Sequence, residues 1–355
     1  MPLVEEIDGG VWSIPVPIPG SPLRYVLSYA IATPLGPIVV DPGWPGEAGW
    51  ASLSAGLELA GWSVTDVQGV LLTHSHTDHQ GLALRVREAT GCWVGMHELD
   101  ARVLAGYADG SRVHDCNATW IPQCGVPSGA ETTAILMDAD AMMAACGVIP
   151  DRLIDDGESI RVGGRSITAI WTPGHTPGHL CFALEDEGLL LGGDHLLPRI
   201  SSHVGGYLID ESDPLGDFLS SLGKIVARVA PADVEILPGH EYRFRGIEER
   251  AGIVRDHHID RLREAFAAVA EVTASTAWDV ASRVSWARGW EETKGGLRRL
   301  ALSETVAHLR WLAVRGLLVQ TGRNPTVWSV RSNDLTGIEA RIRAEVERSR
   351  GTAIR

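Results

Sequence analysis

The chain has 355 residues, of which 45% are hydrophobic and 21% charged, as expected of a globular protein with one large domain and a small one. The formal net charge of −14 disfavours nucleic acid as the main partner, because proteins that hold phosphates carry clustered lysine and arginine. The acidic first eight residues do not resemble a secretory signal, and no run of 18 apolar residues predicts a membrane span, so we expect a cytoplasmic protein without membrane contact.

The first hundred residues predict an α/β layered domain. The proline-rich stretch from Val11 to Pro22 predicts a loop. Apolar patterns predict strands at 25–32, 37–40, 67–72 and 92–96, and helices at 49–60 and 81–90. Strand, helix and strand in this order are typical of a layered α/β fold.

Residues 98–150 differ in character, with glycine-rich and proline-rich turns and a predicted helix at about 131–146. We interpret them as a cap inserted into a catalytic domain that spans residues 1–245. Strand patterns return at 159–171, 180–185, 189–192 and 234–237.

The five cysteines are odd in number and none has Cys-x-x-Cys spacing. This favours buried or free thiols in a reducing compartment over a disulfide framework or a cysteine-ligated zinc. A Cys116–Cys124 bridge is the alternative that the spacing leaves open.

The C-terminal third predicts helices at 246–272, 277–288 and 298–315, followed by a hairpin at 317–330. Three helices and a hairpin are the parts of a winged helix, which we assign to residues 246–330. The final residues, 331–355, are rich in Glu and Arg and predict a solvated helix or a frayed tail.

The segment Thr73-His74-Ser75-His76-Thr77-Asp78-His79 places four candidate metal ligands within six residues. Imidazole and carboxylate groups suit zinc and related divalent metals. One regular helix or strand cannot direct all four at a single ion, so the pattern favours a loop that serves two metals.

Three later segments share one design, in which an apolar strand runs into glycine and then into a candidate ligand. They end at His175, Asp194 and His240. Glycine permits the turns and close approaches that a crowded metal site needs. Each segment alone is a weak signal, but with the histidine segment they predict a two-metal site.

The order of these motifs resembles the metallo-β-lactamase superfamily over about residues 5–245. The segment Thr172-Pro-Gly-His-Thr-Pro-Gly-His179 resembles its glyoxalase II and thioesterase branch. The stretch from Gly193 to Ser202 resembles lactamase-beta-2-like proteins, which also carry a terminal winged helix. The resemblance implies an αββα sandwich with its site along one edge of the two sheets.

The resemblance also implies a role for each ligand. His74, His76 and His175 would bind a first divalent cation, Asp78, His79 and His240 a second, and Asp194 would bridge the two. Zinc is the expected metal, although iron or manganese would suit the same groups.

Asp41 matches a position that supports the histidine loop without binding metal, and a plain turn residue is the alternative. The histidine pattern disfavours the electron-transferring diiron branch. Aspartate at 194, where antibiotic-resistance enzymes often have cysteine, favours the general hydrolase branch.

The predicted mechanism uses two cations about 3.5–4 Å apart that share a hydroxide formed at neutral pH. Asp78 and Asp194 would orient this hydroxide for attack on a carbonyl carbon. We expect a small-molecule thioester, ester or lactone as substrate, with an acyl-CoA-like molecule among the candidates.

Three alternatives stay open. The first is cleavage of single-stranded RNA, for which Arg298, Arg299, Arg310 and Arg315 would form a basic patch, unless they are a solvated helix face. The second is β-lactam hydrolysis, and the third is a metal-binding regulator without catalysis. In related proteins the C-terminal module closes over the cleft or mediates a homodimer, and either role would suit this one.

Several side chains near the motifs are assigned only as alternatives. We expect His179 to support the ligands, whereas His195 would either line the cleft or lie behind it. Trp44 is a candidate cleft wall. Substrate contacts are a weaker interpretation of the residues on the following loop, Arg199, His203 and Tyr207.

Overall fold

A computed structural model describes residues 1–112, 116–129, 132, 147–206, 212–229, 233–272, 274–332 and 337–352. The chain forms two compact units. Unit 1 comprises Met1–Ala108, Met143–Ser202 and Val229–Ile247, and unit 2 comprises Asp109–Met142, His203–Arg228 and Glu248–Arg355. The predicted helix at 131–146 lies outside the described residues, apart from Thr132.

Unit 1 contains a seven-stranded and a five-stranded sheet. The larger sheet has its strands in sequence order: β1 (Glu5–Ile7), β2 (Val11–Pro17), β3 (Tyr25–Ile31), β4 (Ile38–Val40), β5 (Gly69–Leu71), β6 (Trp93–Met96) and β7 (Arg152–Leu153). The smaller sheet runs in the order β12-β11-β10-β9-β8, with β8 (Ser159–Val162), β9 (Arg165–Trp171), β10 (Leu180–Leu184), β11 (Leu189–Gly193) and β12 (Glu235–Pro238).

The two sheets pack face to face because their strands alternate apolar side chains. On β3, Leu27, Tyr29 and Ile31 enter a core shared with the smaller sheet, whereas Val26 and Ala30 enter a second core on the opposite face. Helices cover that opposite face: α1 (Glu47–Leu59), α3 (Ala83–Thr90) and α4 (Glu98–Ala108), with the short α2 (Thr77–Gln80) just before α3. This arrangement confirms the predicted sandwich class.

The stretch from Val11 to Pro22 is not all loop, so that prediction was wrong. Residues Val11–Pro17 form β2, which pairs with β3 along its whole length but with β1 only as far as Ser13. Pro15 and Pro17 therefore need no amide hydrogen for β1, and proline is tolerated where a strand has a free edge.

The compact units divide the chain differently from the predicted domains. Residues 98–108 form α4 of unit 1, where Leu104 packs in the sheet–helix core. Residues 203–228 group with unit 2, where Phe218 contacts His258, with 5.5 Å between the ring centroids. The inserted cap at 98–150 and the domain boundary at residue 245 stay predictions.

Unit 2 contains the elements predicted for the C-terminal third. Its helices are α5 (Ile121–Gln123), α6 (Pro214–Val229), α7 (Ile247–Ala270), α8 (Ala277–Ala281), α9 (Gly296–Val314) and α10 (Gly337–Thr352), and its hairpin is β13 (Leu318–Thr321) with β14 (Val327–Val330). α6 was not predicted, and α8 is shorter than expected. The winged-helix assignment stays a prediction. Within the described part of the chain, no helix has the length and apolar character required to cross a membrane.

Two buried histidines pack together inside unit 2. His308 Nδ1 donates to the Glu304 carbonyl at 2.7 Å, so its Nε2 accepts from His258 Nδ1 at 3.2 Å. Burial, opposed in part by the charge of Glu304, lowers the pKa of His308 to about 4. Burial also holds the pKa of His258 well below its usual value, and the charge of His308 adds to this effect.

This pair predicts a loss of stability in acid. Because both folded-state pKa values lie below the ordinary value of about 6.5, the unfolded chain binds protons first. Stability is then complete above pH 6.5 and falls as the pH decreases toward 4. His308→Gln should remove up to about 1.4 kcal/mol per pH unit of this slope, measured by urea unfolding between pH 7.5 and 5. Equal slopes for the variant and the wild type would contradict the assignment.

Candidate metal centre

The predicted ligands lie at one end of the two sheets, on loops except for Asp78 and His79, which lie on the short helix α2 and not on the predicted loop. β4 to β7 are parallel, as are β11 and β12, so their carboxyl ends bring successive loops to the same edge. The histidine segment follows β5, while Asp194 and His240 follow β11 and β12. His175 follows β9. All seven predicted ligands belong to unit 1.

The first donor set consists of His74, His76 and His175. His175 Nε2 lies 3.2 Å from His74 Nε2 and 3.0 Å from His76 Nδ1. Nitrogens that share one tetrahedral zinc at about 2.0–2.1 Å lie roughly 3.3 Å apart, which is close to these separations. The three side chains therefore have the spacing that one cation requires.

The second donor set consists of Asp78, His79 and His240, whose candidate ligand atoms lie within 4.8 Å of one another. Asp194 connects the sets: its Oδ1 is 3.4 Å from His79 Nε2, and its Oδ2 is 3.4 Å from His240 Nε2 and 3.7 Å from His175 Nε2. One carboxylate thus reaches nitrogens of both sets, as a bridging ligand must.

Hydrogen bonds behind the rings leave Nε2 of four histidines facing the site. His240 Nδ1 donates to the Tyr25 carbonyl at 2.9 Å, and His79 Nδ1 lies 2.8 Å from Asp41 Oδ2. Thr73 Oγ1 donates to Asp41, so His74 Nδ1 donates to Thr73 Oγ1. Such contacts fix the tautomer and orientation of metal-binding imidazoles.

The fourth of these histidines, His175, has a similar support. Ser202 Oγ donates to the Asp194 carbonyl and therefore accepts from His175 Nδ1 at 3.1 Å. Asp41 has both oxygens engaged by Thr73 and His79, which supports its predicted role behind the ligands.

Buried polar atoms without hydrogen-bond partners are a second indication that these side chains suit a divalent cation. His79 Nε2, Asp194 Oδ1 and His240 Nε2 are buried, and none has a hydrogen-bond partner among the described residues. A buried polar atom without a partner costs roughly 1–3 kcal/mol, so native structures rarely leave several together. A cation held by these atoms would remove that cost.

The two donor sets differ in charge. Burial and the neighbouring histidines hold the pKa of His74 well below its usual value, so its ring is neutral. Burial lowers the pKa of His79 too, but the carboxylates of Asp194, Asp41 and Asp78 outweigh it and raise that pKa to about 10. The second set therefore attracts positive charge, and metal and proton compete for its nitrogens.

His179 lies behind the ligand set. Its Nε2 accepts the Asp194 backbone N–H at 3.1 Å, and its Nδ1 is 2.8 Å from Thr172 Oγ1. Both ring nitrogens are thus engaged away from the donor sets, which supports the predicted supporting role. His195 is 1% exposed, with its ring centroid 6.0 Å from that of His179, and this burial favours a position behind the cleft.

The candidate cleft wall and the candidate substrate contacts do not all belong to one unit. Trp44 is half-buried and packs against the sheet–helix core of unit 1. Arg199 is exposed and bonds Glu241, which directly follows His240. His203 belongs to unit 2, where its Nδ1 is 3.9 Å from Glu304 Oε2. Tyr207 lies outside the described residues.

Several residues that position the ligands belong to no sequence motif. Asp100 of α4 accepts hydrogen bonds from both histidine-bearing loops, Tyr25 holds His240, and Ser202 holds His175. Glu241 accepts from the backbone amides of Arg199 and Ile200 on the loop after Asp194. None of them has a local signal, apart from the adjacency of Glu241 to His240.

The chain resembles known proteins over most of its length. The family model described as the metallo-beta-lactamase superfamily matches residues 21–240. A lactamase-like protein, adaB, of Aspergillus niger is 27% identical over 275 residues, which cover 76% of this chain and 67% of that protein. A hydroxyacylglutathione hydrolase of Rhodopseudomonas palustris is 27% identical over 208 residues, which cover 58% of this chain and 60% of the relative. The match thus spans less than two thirds of that hydrolase.

Two solved structures share the fold over nearly the whole chain. A metallo-beta-lactamase family protein from Thermus thermophilus is 30% identical with a TM-score of 0.76, covering 91% of this chain and 99% of that one. A beta-lactamase domain protein from Burkholderia ambifaria is 25% identical with a TM-score of 0.74, covering 92% and 94%. With the family model spanning more than half of the sequence, the chain belongs to the metallo-β-lactamase superfamily.

Proposed function

We propose that the protein is a binuclear-metal hydrolase that cleaves a thioester, ester or lactone. The observation that carries the proposal is the position of Asp194 between two donor sets whose buried nitrogens and oxygens face one another. We propose zinc as the metal, with iron or manganese as alternatives.

The cations would supply a water of lowered pKa and polarise the carbonyl oxygen of the substrate. The protein residues hold and orient these groups. Asp194 joins the two sets, while Asp78, whose side chain is 18% exposed, is the more accessible carboxylate and lies 3.3 Å from His240 Nε2. We assign to Asp78 and Asp194 the orientation of the attacking water.

The names of relatives support a thioester. Several are hydroxyacylglutathione hydrolases, including one from Cereibacter sphaeroides that is 30% identical over 196 residues, covering 55% of each chain. An acyl group on glutathione is joined through sulfur, and acyl-CoA shares this linkage. We therefore propose a small-molecule thioester as the first substrate class to test.

Three of the four arginines that would supply a basic patch for RNA already contact other groups of unit 2. Arg298 is 5% exposed, with its guanidinium carbon 4.7 Å from the Trp290 ring centroid and 5.6 Å from that of Trp278. Arg315 pairs with Asp213, and Arg310 donates to the Ser212 carbonyl. Because these three side chains are engaged by protein groups, they would make fewer phosphate contacts than free arginines would.

A panel assay of the metal-loaded full-length protein tests the proposal. The substrates are a glutathione thioester, an acyl-CoA, a homoserine lactone, a β-lactam and single-stranded RNA. We expect kcat/KM for the best thioester to exceed that for the β-lactam and RNA by at least about tenfold, a margin that a few pocket contacts can produce.

Two other results would favour an alternative function. Faster cleavage of RNA, together with RNA binding that weakens as salt increases, would favour the nuclease. Binding of two metal equivalents without turnover of any carbonyl substrate would favour the regulator.

A further inference from the structure

A buried carboxylate outside the ligand set joins the two loops of the three-histidine site. Asp100, on α4, is fully buried. Its Oδ2 accepts from the Ser75 backbone N–H at 2.7 Å and from Thr176 Oγ1 at 2.8 Å, and its Oδ1 accepts from the Gly178 backbone N–H at 2.7 Å.

The donors lie beside the ligands in the chain. Ser75 stands between His74 and His76, while Thr176 directly follows His175 and Gly178 comes two residues later. Asp100 therefore reaches the first donor set through two backbone N–H groups and one hydroxyl of residues beside the ligands, and not through an imidazole. Asp41 is a second buried carboxylate that supports the 73–79 segment, where it accepts from the Thr73 backbone N–H and contacts His79 Nδ1.

The chemistry of the contact requires a carboxylate. An ionised carboxylate only accepts hydrogen bonds, so both oxygens can face donors, whereas an asparagine amide presents two N–H groups on one side. Asparagine at this position would place an N–H against the amide of Ser75 or Gly178. The two N–H groups would repel each other and move the loops apart, and the distances between the histidines on those loops would change as well.

We propose that Asp100 is a positioning residue that sets the distance between the 74–76 and 175–178 loops, and thereby the affinity of the three-histidine site for a divalent cation. This inference rests on the proposed function, since it assumes that the site holds metal. It predicts that loss of Asp100 weakens one of the two metal sites selectively.

The test is zinc titration of metal-free, full-length protein in competition with a chromophoric chelator, repeated with Co²⁺ to follow the visible spectrum. We expect two equivalents in the wild type. Asp100→Asn should lose roughly 10–100-fold in affinity for one equivalent and keep the other, the usual effect of removing a group behind a ligand. His76→Ala and His240→Ala provide reference spectra for the loss of each site.

A milder variant and a matched control test whether the loss of metal affinity is specific to the contacts of Asp100. Thr176→Val removes one of the three donors at similar volume, so we expect a smaller loss at the same site. Glu235→Gln is the control, because Glu235 is likewise a buried carboxylate of unit 1, here paired with Arg243, but lies at the start of β12, at the opposite end of that strand from His240.

The outcomes separate the two proposals. Failure of the wild type to bind metal would overturn the proposed function itself. Two equivalents in the wild type with unchanged affinities in both Asp100→Asn and Thr176→Val would overturn only the role of Asp100. Equal weakening of both sites in the folded Thr176→Val protein would also overturn it, because a general loss of packing would not select one site.

Discussion

Replacing Asp194 by asparagine is expected to weaken both metal equivalents and to lower kcat/KM by at least about 100-fold, the upper end of the loss found for groups that only support a ligand. Asp194 oxygens lie 3.4 Å from nitrogens of His79 and His240 and 3.7 Å from His175. Asparagine keeps the shape but removes the charge and one acceptor oxygen. Metal content and thioester turnover of the reconstituted protein measure the effect.

Asp151→Asn is the control for this variant. The Asp151 carboxylate accepts a hydrogen bond from the Val94 backbone N–H, but Asp151 precedes β7 at the amino end of the parallel strands, away from the ligand loops. Its metal content and turnover should match those of the wild type. An Asp194→Asn protein with two tightly bound metals and ordinary turnover would show that this residue does not bridge the sites.

Replacing Gly239 by alanine is expected to disrupt the site by steric contact alone. A Cβ at this position would lie 2.5 Å from Asp194 Oδ1 and 2.6 Å from His79 Cε1. The backbone cannot easily retreat, because the Gly239 N–H donates to Gly193 at 2.8 Å and its carbonyl accepts from Leu27 at 2.7 Å. Two ligands must therefore move, and a displacement of about 1 Å costs roughly 100-fold in rate. Turnover and the affinity for each metal equivalent are the measurements.

Gly296→Ala provides the comparison, since a Cβ at the first residue of α9 would meet no atom within 4 Å. It should retain metal, activity and thermal stability. If Gly239→Ala behaved in the same way, the close packing of Gly239 against the ligands would not matter for metal binding.

Local patterns in the sequence predicted the strands that precede the ligands. Strands β3, β5, β6 and β10 to β12 were predicted because continuous apolar runs end at glycine or at a polar motif. β2 was missed because prolines normally indicate a loop, and only the short pairing of β1 explains why they are tolerated. The 159–171 strand divides into β8 and β9 at a turn of two glycines with positive φ, Gly163 and Gly164.

The arginines on and just after α9 show why the environment of a charged residue is hard to predict from sequence. A run of arginines has the same sequence pattern whether it faces solvent, phosphate or tryptophan. Arg298 lies within cation–π distance of Trp290 and Trp278, two residues that are not neighbours in the chain. Only packing decides between these environments.

The candidate metal ligands and the fold were predictable from local patterns, because ligand chemistry and the apolar strand that precedes each ligand are local properties. What holds those side chains in place depends on contacts that form only in the folded chain. Asp100 meets Ser75 and Gly178 at separations of 25 and 78 residues, and His240 meets Tyr25 at 215. Contacts so distant in the chain leave no local pattern, since a buried aspartate and a tyrosine carbonyl gain their roles only when the sheets bring the loops together.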